Sequence, residues 1–192
     1  NKKLKYINIK LNKLKLFEFG DFDFSTKIYF DLSINQLTNV YDLSNNYRKF
    51  NKILLNYNNF TKFDLGLLKF YKEIFYLDLS FNRLVNLKFS GDKFDHSLKY
   101  LSLSNNFLEY LPNDLLKNFI LIEEINLSYN ILSLIEPDAF NKILNLKILK
   151  INNNYLEILS ENLLIDTKEL IELDLSSNLI KKLDSLIFQN LK

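Results

Sequence analysis

Residues 98–108 read Leu98-Lys99-Tyr100-Leu101-Ser102-Leu103-Ser104-Asn105-Asn106-Phe107-Leu108. Leu101 and Leu103 alternate with Tyr100, Ser102 and Ser104, which is the period of a short strand with one apolar face. Leu98 stands three residues before that pair, Asn106 three after it, and Leu108 two further on. One such stretch is an ordinary amphipathic strand; recurrence makes it decisive. Asn12, Asn35, Asn58, Asn82, Asn106, Asn130, Asn154 and Asn178 follow one another at steps of 23 or 24 residues, with apolar residues at the same offsets around each. The sixth unit has Ile122, Ile125, Leu127 and Leu132; the eighth has Leu170, Leu173, Leu175 and Ile180. The second unit is the loose one, because Lys27 stands where an apolar residue is expected, although Phe30, Leu32 and Leu37 hold.

A period in this range implies coils stacked side by side, each too small to bury its own apolar face and stabilised by its neighbours. The recurring Asn falls where the chain leaves the strand and turns. Its amide carries two donor hydrogens and an acceptor, so it can satisfy backbone groups that the turn leaves buried. We therefore read all eight as a structural ladder.

The second half of the unit narrows the class. Leu132 is followed by Ile135, Pro137, Ala139, Phe140 and Ile143; Leu108 by Leu111, Pro112, Leu116 and Phe119; Ile180 by Leu183, Leu186, Phe188 and Leu191. The chain resembles the leucine-rich repeat family over essentially its whole length, in the typical 24-residue form found in Toll-like receptor ectodomains, small leucine-rich proteoglycans and insect cell-surface proteins. The resemblance implies an α/β-type repeat solenoid: a right-handed coil of about eight repeats, with a concave parallel sheet and a convex side of loops and short 3₁₀ turns. Phe140 and Phe188 share one repeat position with Leu68, Leu116 and Leu164, a convex core spine. Phe17–Phe24 and Phe89–Ser97 break the pattern.

Composition sets the remaining bounds. Hydrophobic residues make up 47% of the 192, enough for a core, and 25 basic against 23 acidic residues leave a net charge of +2, with no field to draw in nucleic acid or an anionic membrane. No apolar run is long enough to span a bilayer, so no direct membrane insertion is expected of this segment. The chain begins at Asn1 and stops one residue before a ninth unit would open. We expect residues 1–192 to be a single array, a fragment without its terminal caps, poorly soluble alone and open to self-association. The absence of cysteine removes the disulfide-bonded caps usual in extracellular members and leaves a cytoplasmic setting open.

Outward-facing strand positions define three columns on the sheet. The first is Tyr6, Tyr29, Lys52, Tyr76, Tyr100, Glu124, Ile148 and Glu172; the second contains Asp31, Asp78, Asn126, Lys150 and Asp174; the third is dominated by serines. Exposed tyrosine couples a large apolar ring to a hydroxyl and is enriched at the energetic centres of interfaces. Tyr29, Asp31, Tyr76, Asp78, Tyr100, Glu124 and Lys150 are accordingly the candidate partner-binding residues, with the acids placed for a basic or hydrogen-bonding partner. Stacking of the tyrosines across strands is the structural alternative. Asn59-Phe60-Thr61 and Asn126-Leu127-Ser128 match the N-glycosylation triplet. His96, the single histidine, sits among Asp92 and Asp95 and reads as a surface loop. With no cysteine, one histidine and no phosphate-binding glycine loop, nothing points to catalysis, a metal or another cofactor. The expectation is a non-catalytic module for a protein ligand or receptor, extracellular or at the cell surface, in adhesion, recognition or innate immunity. An intracellular scaffold and a structural assembly protein are the alternatives, and scattered lysines argue against nucleic acid.

Overall fold

The structure is a computed structural model of the chain that describes residues 4–19, 27–42, 50–71, 73–91, 97–113 and 115–191. His96, Asp92, Asp95 and residues 20–24 of the first irregular stretch lie outside them. In chain order the strands are β1 (Tyr6–Asn8), β2 (Leu16–Phe19), β3 (Ile28–Asp31), β4 (Asn39–Asp42), β5 (Phe50–Leu54), β6 (Lys62–Asp64), β7 (Tyr76–Asp78), β8 (Asn86–Lys88), β9 (Tyr100–Ser102), β10 (Tyr110–Leu111), β11 (Glu124–Asn126), β12 (Leu134–Ile135), β13 (Ile148–Lys150) and β14 (Glu172–Asp174). The strands that open the eight units form one parallel sheet in the order β1-β3-β5-β7-β9-β11-β13-β14. Parallel neighbours need a crossover, and each unit's second half supplies it.

Every unit places its strand leucines on the inner face. Leu101, Leu103, Ile125, Leu127, Leu149 and Ile151 are all 0–1% exposed. In the first and last of these units the equivalent Ile7, Ile9, Leu173 and Leu175 are only partly buried. The loose second unit is repaired by a register shift. Ile28 pairs with Phe50 and is fully buried, with the irregularity falling between Ile28 and Tyr29. Lys27 is thereby turned outward, where its Nζ lies 3.2 Å from Glu73.

The asparagine ladder runs through the array. Asn106 Nδ2 donates to the carbonyls of Leu79 and Leu103, each at 3.0 Å, and its Oδ1 accepts the N–H of Leu84 at 2.9 Å. Asn58, Asn82, Asn130 and Asn154 repeat the pattern and are 5–6% exposed. Each amide thus ties two coils together through groups that water cannot reach. The residue before each ladder asparagine has a left-handed backbone, with φ between 52° and 59° at Leu11, Ile34, Tyr57, Phe81, Asn105, Tyr129, Asn153 and Ser177. The first seven of these hold the turn by donating their N–H to a carbonyl of the next coil.

The far side of the coil is more regular than loops alone. Besides 3₁₀ helices at Leu65–Phe70 and Ser185–Phe188, it carries short parallel pairs β2·β4, β6·β8 and β10·β12. They form because one further residue per coil (Val40, Phe63, Leu111 and Ile135 among them) packs inward, 1–6% exposed, and sets adjacent coils in register. Asp64 organises the first 3₁₀ helix: its Oδ1 accepts from the N–H of Gly66 and of Ser90, each at 2.9 Å, and Lys88 approaches to 3.2 Å. Gly66 is needed because a Cβ there would stand 1.9 Å from the carbonyl oxygen of Ser90.

Candidate functional site: the outer face of the main sheet

The parallel register places the first column in one line across the sheet. Tyr6 pairs with Tyr29, Tyr29 with Lys52, Lys52 with Tyr76, Tyr76 with Tyr100, and Tyr100 with Glu124. Tyr29, Tyr76, Tyr100 and Glu124 are all half-buried. The rings contact one another: Tyr6 and Tyr29 meet edge-on at 4.9 Å between centroids, and Tyr76 and Tyr100 are tilted at 5.9 Å. Between the two pairs stands Lys52, whose Nζ lies 3.8 Å from the centroid of Tyr76 and 5.1 Å from that of Tyr29. An ammonium over a tyrosine face is attracted by the ring quadrupole. The column is therefore one aromatic stack closed by a cation. Cross-strand stacking holds the side chains in place, and Tyr29, Tyr76 and Tyr100 stay partly exposed.

The second column is held by its own backbone. Asp31 Oδ1 accepts the N–H and the hydroxyl of Ser33 at 3.0 and 2.6 Å, and its Oδ2 lies 3.4 Å from the Tyr6 hydroxyl. It is 5% exposed. Asp78 makes the same pair of bonds with Ser80, at 2.9 and 2.6 Å, but remains half-open. Asn126 with Ser128 and Asp174 with Ser176 repeat the arrangement. The hydrogen bonds from Ser176 hold the Asp174 carboxyl below the usual carboxylate range. Ser33, Ser80 and Ser176 thus fix the carboxylates two residues before them. Of the acids singled out from sequence, Asp78 and Glu124 present open carboxylate to the face, whereas Asp31 is enclosed.

Sequence reasoning passed over Lys52, although its place in the tyrosine column was the signal. It also missed that Asp-Leu-Ser, or Asn-Leu-Ser, recurs in four units, which marks a local hydrogen-bond motif. Burial pushes the Tyr76 hydroxyl above its ordinary pKa, and the charges of Asp78 and Glu124 and the neighbouring Tyr29 push it further. It is a hydrogen-bond donor throughout the neutral range. Lys150, half-buried, reaches Glu172 at 3.3 Å across β13 and β14. At the entrance edge of the sheet, Glu123 bridges Lys99 at 2.6 Å and Lys147 at 2.8 Å, and those hydrogen bonds, Lys147 first, lower its pKa.

Asn126 lies on β11 with its Oδ1 accepting from Ser128, and Asn59 is half-buried in the turn after β5 with its N–H on the Leu37 carbonyl at 2.8 Å. Among the described residues no cluster of His, Cys, Asp and Glu is arranged to hold a metal, and no helix is long and apolar enough to cross a membrane.

A sequence model of the leucine-rich repeat family matches residues 120–180. No curated protein matches the chain. Solved structures do. The leucine-rich repeat domain of APL1B aligns at 22% identity and a TM-score of 0.66, over 86% of this chain and 47% of that one. Toll, in the Toll–Spatzle complex of Drosophila, aligns at 20% identity and a TM-score of 0.68, over 92% of this chain and 29% of that one. TLR13, in its complex with ssRNA13, aligns at 20% identity and a TM-score of 0.55, over 82% of this chain and 26% of that one. The chain spans less than half the length of each, and at these identities the likeness is one of fold.

Proposed function

We propose that this chain, a leucine-rich repeat protein, is a non-catalytic binding module that grips a protein ligand on the outer face of its main sheet. The observation that carries the proposal is the Tyr29–Lys52–Tyr76–Tyr100 column, fixed by stacking yet half-open across four consecutive strands. Rings held in place before binding lose little entropy on contact, and tyrosine and tryptophan anchors carry much of the energy of many interfaces. Asp78 and Glu124 flank the column, and Lys150 adds a positive charge beyond it, so the face offers both signs to a polar rim.

Toll, one of the structural neighbours, is seen with a protein ligand and TLR13 with an RNA. The protein reading is favoured here because the column's one cation, Lys52, is surrounded by tyrosines and acids rather than by further basic residues, which leaves no stripe to follow a phosphate backbone. A photo-activatable residue placed at Tyr100, and separately at Glu161 on the far side, tests this in the natural setting. A discrete protein adduct from position 100 alone is expected; an RNA adduct, or equal labelling from both positions, refutes the proposal.

We place the protein outside the cell or at its surface, in recognition or adhesion. The support is the two glycosylation triplets and the extracellular subclass that the repeat resembles. Its freedom from cysteine favours the second reading, an intracellular scaffold. Glycopeptide mass spectrometry of Asn59 and Asn126 separates the two: a glycan on either excludes the cytosol, and unmodified peptides at both favour the scaffold.

A further inference from the structure

Where Tyr76, Tyr100 and Glu124 cross the main sheet, the next outward column sets Asp78, Ser102 and Asn126 in the same register. The six residues make one patch on β7, β9 and β11, and all are half-buried. The patch holds two carboxylates and no base. Among the described residues, the neighbouring bases are engaged elsewhere. Lys99 and Lys147 close on Glu123 at 2.6 and 2.8 Å, and Lys150 lies 3.3 Å from Glu172. Lys52 rests over the Tyr76 ring from β5, on the other side of β7 from Tyr100. Neither Asp78 nor Glu124 has an ion-pair partner among the described residues.

Charge complementarity names the missing group. Carboxylates beside an aromatic face attract a cation, and the chain supplies its own precedent: Lys52 Nζ stands 3.8 Å from the Tyr76 centroid. The equivalent place over Tyr100, toward Glu124, has no cation among the described residues. The Tyr100 ring is braced, with Phe75 edge-on at 6.4 Å and Tyr76 tilted at 5.9 Å. Both acids also bear on one atom, the Tyr76 hydroxyl, whose pKa is raised first by burial and then by the charges of Asp78 and Glu124. Asp78 Oδ1 is taken up by the N–H and hydroxyl of Ser80, which leaves Oδ2 for a partner.

Geometry selects the cation. Adjacent strands lie about 4.8 Å apart, so β7 and β11 are separated by about 10 Å, with Ser102 of β9 between them. A guanidinium with a carboxylate oxygen at about 2.8 Å on each side spans a similar distance. An ammonium is a point charge that closes on one acid at a time, and only the planar guanidinium also stacks flat on a ring. Building on the reading of this sheet face as protein-binding, we infer that Tyr100, Asp78 and Glu124 receive an arginine side chain of the protein ligand, its guanidinium lying on the ring and paired to both carboxylates.

The test is a nuclear magnetic resonance titration of the full chain, isotope-labelled in its tyrosine rings, with N-acetylarginine amide. N-acetylcitrulline amide, a neutral analogue of similar shape, is the reference at matched ionic strength. The arginine probe should shift the Tyr76 and Tyr100 signals saturably with a Kd of about 1–50 mM, and the citrulline probe should not. Asp78→Asn and Glu124→Gln should each weaken binding about threefold, and together about tenfold. Both variants keep the fold: Asn126 already makes with Ser128 the two bonds that Asp78 makes with Ser80, and Glu124→Gln exchanges a half-buried carboxylate for its neutral amide. No saturable shift, equal shifts from citrulline, or an unchanged Kd in the double variant overturns the inference. A protein adduct from position 100 alongside any of those results leaves the protein-binding reading standing, and that reading falls separately, by the absence of the adduct.

Discussion

Replacing Asn106 by alanine, side by side with Asn12 by alanine, measures what the ladder contributes. Asn106 is 4% exposed and accepts the N–H of Leu84, itself fully buried. The carbonyls it serves keep a second donor, because Leu79 O also accepts from Asn82 and Leu103 O from Asn130. Only the Leu84 N–H is orphaned. An unsatisfied buried donor costs about 1–3 kcal/mol, and each lost hydrogen bond about a further 1 kcal/mol net. Discounting the bonds whose carbonyls stay partnered, the loss is about 3 kcal/mol. Asn12 is exposed and donates only within its own unit, to Ile9 O at 3.0 Å and Lys10 O at 3.3 Å. Ile9 O keeps Asn35 as a donor, so alanine there should cost less than about 1 kcal/mol. Urea titrations followed by far-ultraviolet circular dichroism compare the two. With an m-value of about 3 kcal/mol per molar, Asn106→Ala lowers the midpoint by about 1 M and Asn12→Ala by no more than a third of that. Equal shifts, or an Asn106 variant within about 0.5 kcal/mol of the parent, would refute the account of the ladder as an inter-coil tie.

Three further outcomes follow from the geometry. Gly66→Ala drives a Cβ to 1.9 Å from Ser90 O and should cost about 1–3 kcal/mol as the 3₁₀ helix is displaced, whereas a substitution that fails to move the urea midpoint would mean the contact relaxes freely. Tyr129→Asn relieves a left-handed tyrosine that is already 55% exposed, so it should raise stability by up to about 1 kcal/mol and the melting temperature by about 2–4 °C; a lower melting temperature contradicts the strain argument. Glu123 has its pKa lowered by Lys147 and Lys99, so its stabilising effect is complete above the ordinary glutamate value of about 4.3 and is lost as pH falls through the lower folded value. Melting curves of the parent and Glu123→Gln should converge at acid pH and separate toward neutrality, and parallel curves at every pH count against the bridge.

Much of the fold is legible in the sequence because each coil repeats the same burial problem. A leucine at a fixed offset from Asn106 must face inward in every unit, and parallel stacking then puts Tyr29, Tyr76 and Tyr100 in one line on the outer face. The register needs no tertiary information once the period is known. Even the small residue at the third position follows, since Ser80 and Ser128 occupy equivalent places.

The pattern speaks only of which face a residue takes. It does not show which neighbour each side chain reaches, and those choices belong to the stacked coils. Lys27 looked like a defect until pairing with Phe50 selected Ile28 for the core. Asp31 and Asp78 looked equivalent, yet the Tyr6 hydroxyl beside Asp31 and the packing of the adjacent coils enclose one and leave the other half-open. Lys52 gained its role from two rings contributed by strands on either side of it. The left-handed Tyr57 and Tyr129 emerged only with the backbone angles, because a tyrosine before an asparagine is unremarkable until φ turns positive. Periodicity determined the coil, its core and its ladder, for those depend on burial that recurs every 24 residues. The surfaces were decided by contacts between coils, where distances of a few ångströms depend on rotamer, register and charge rather than on period.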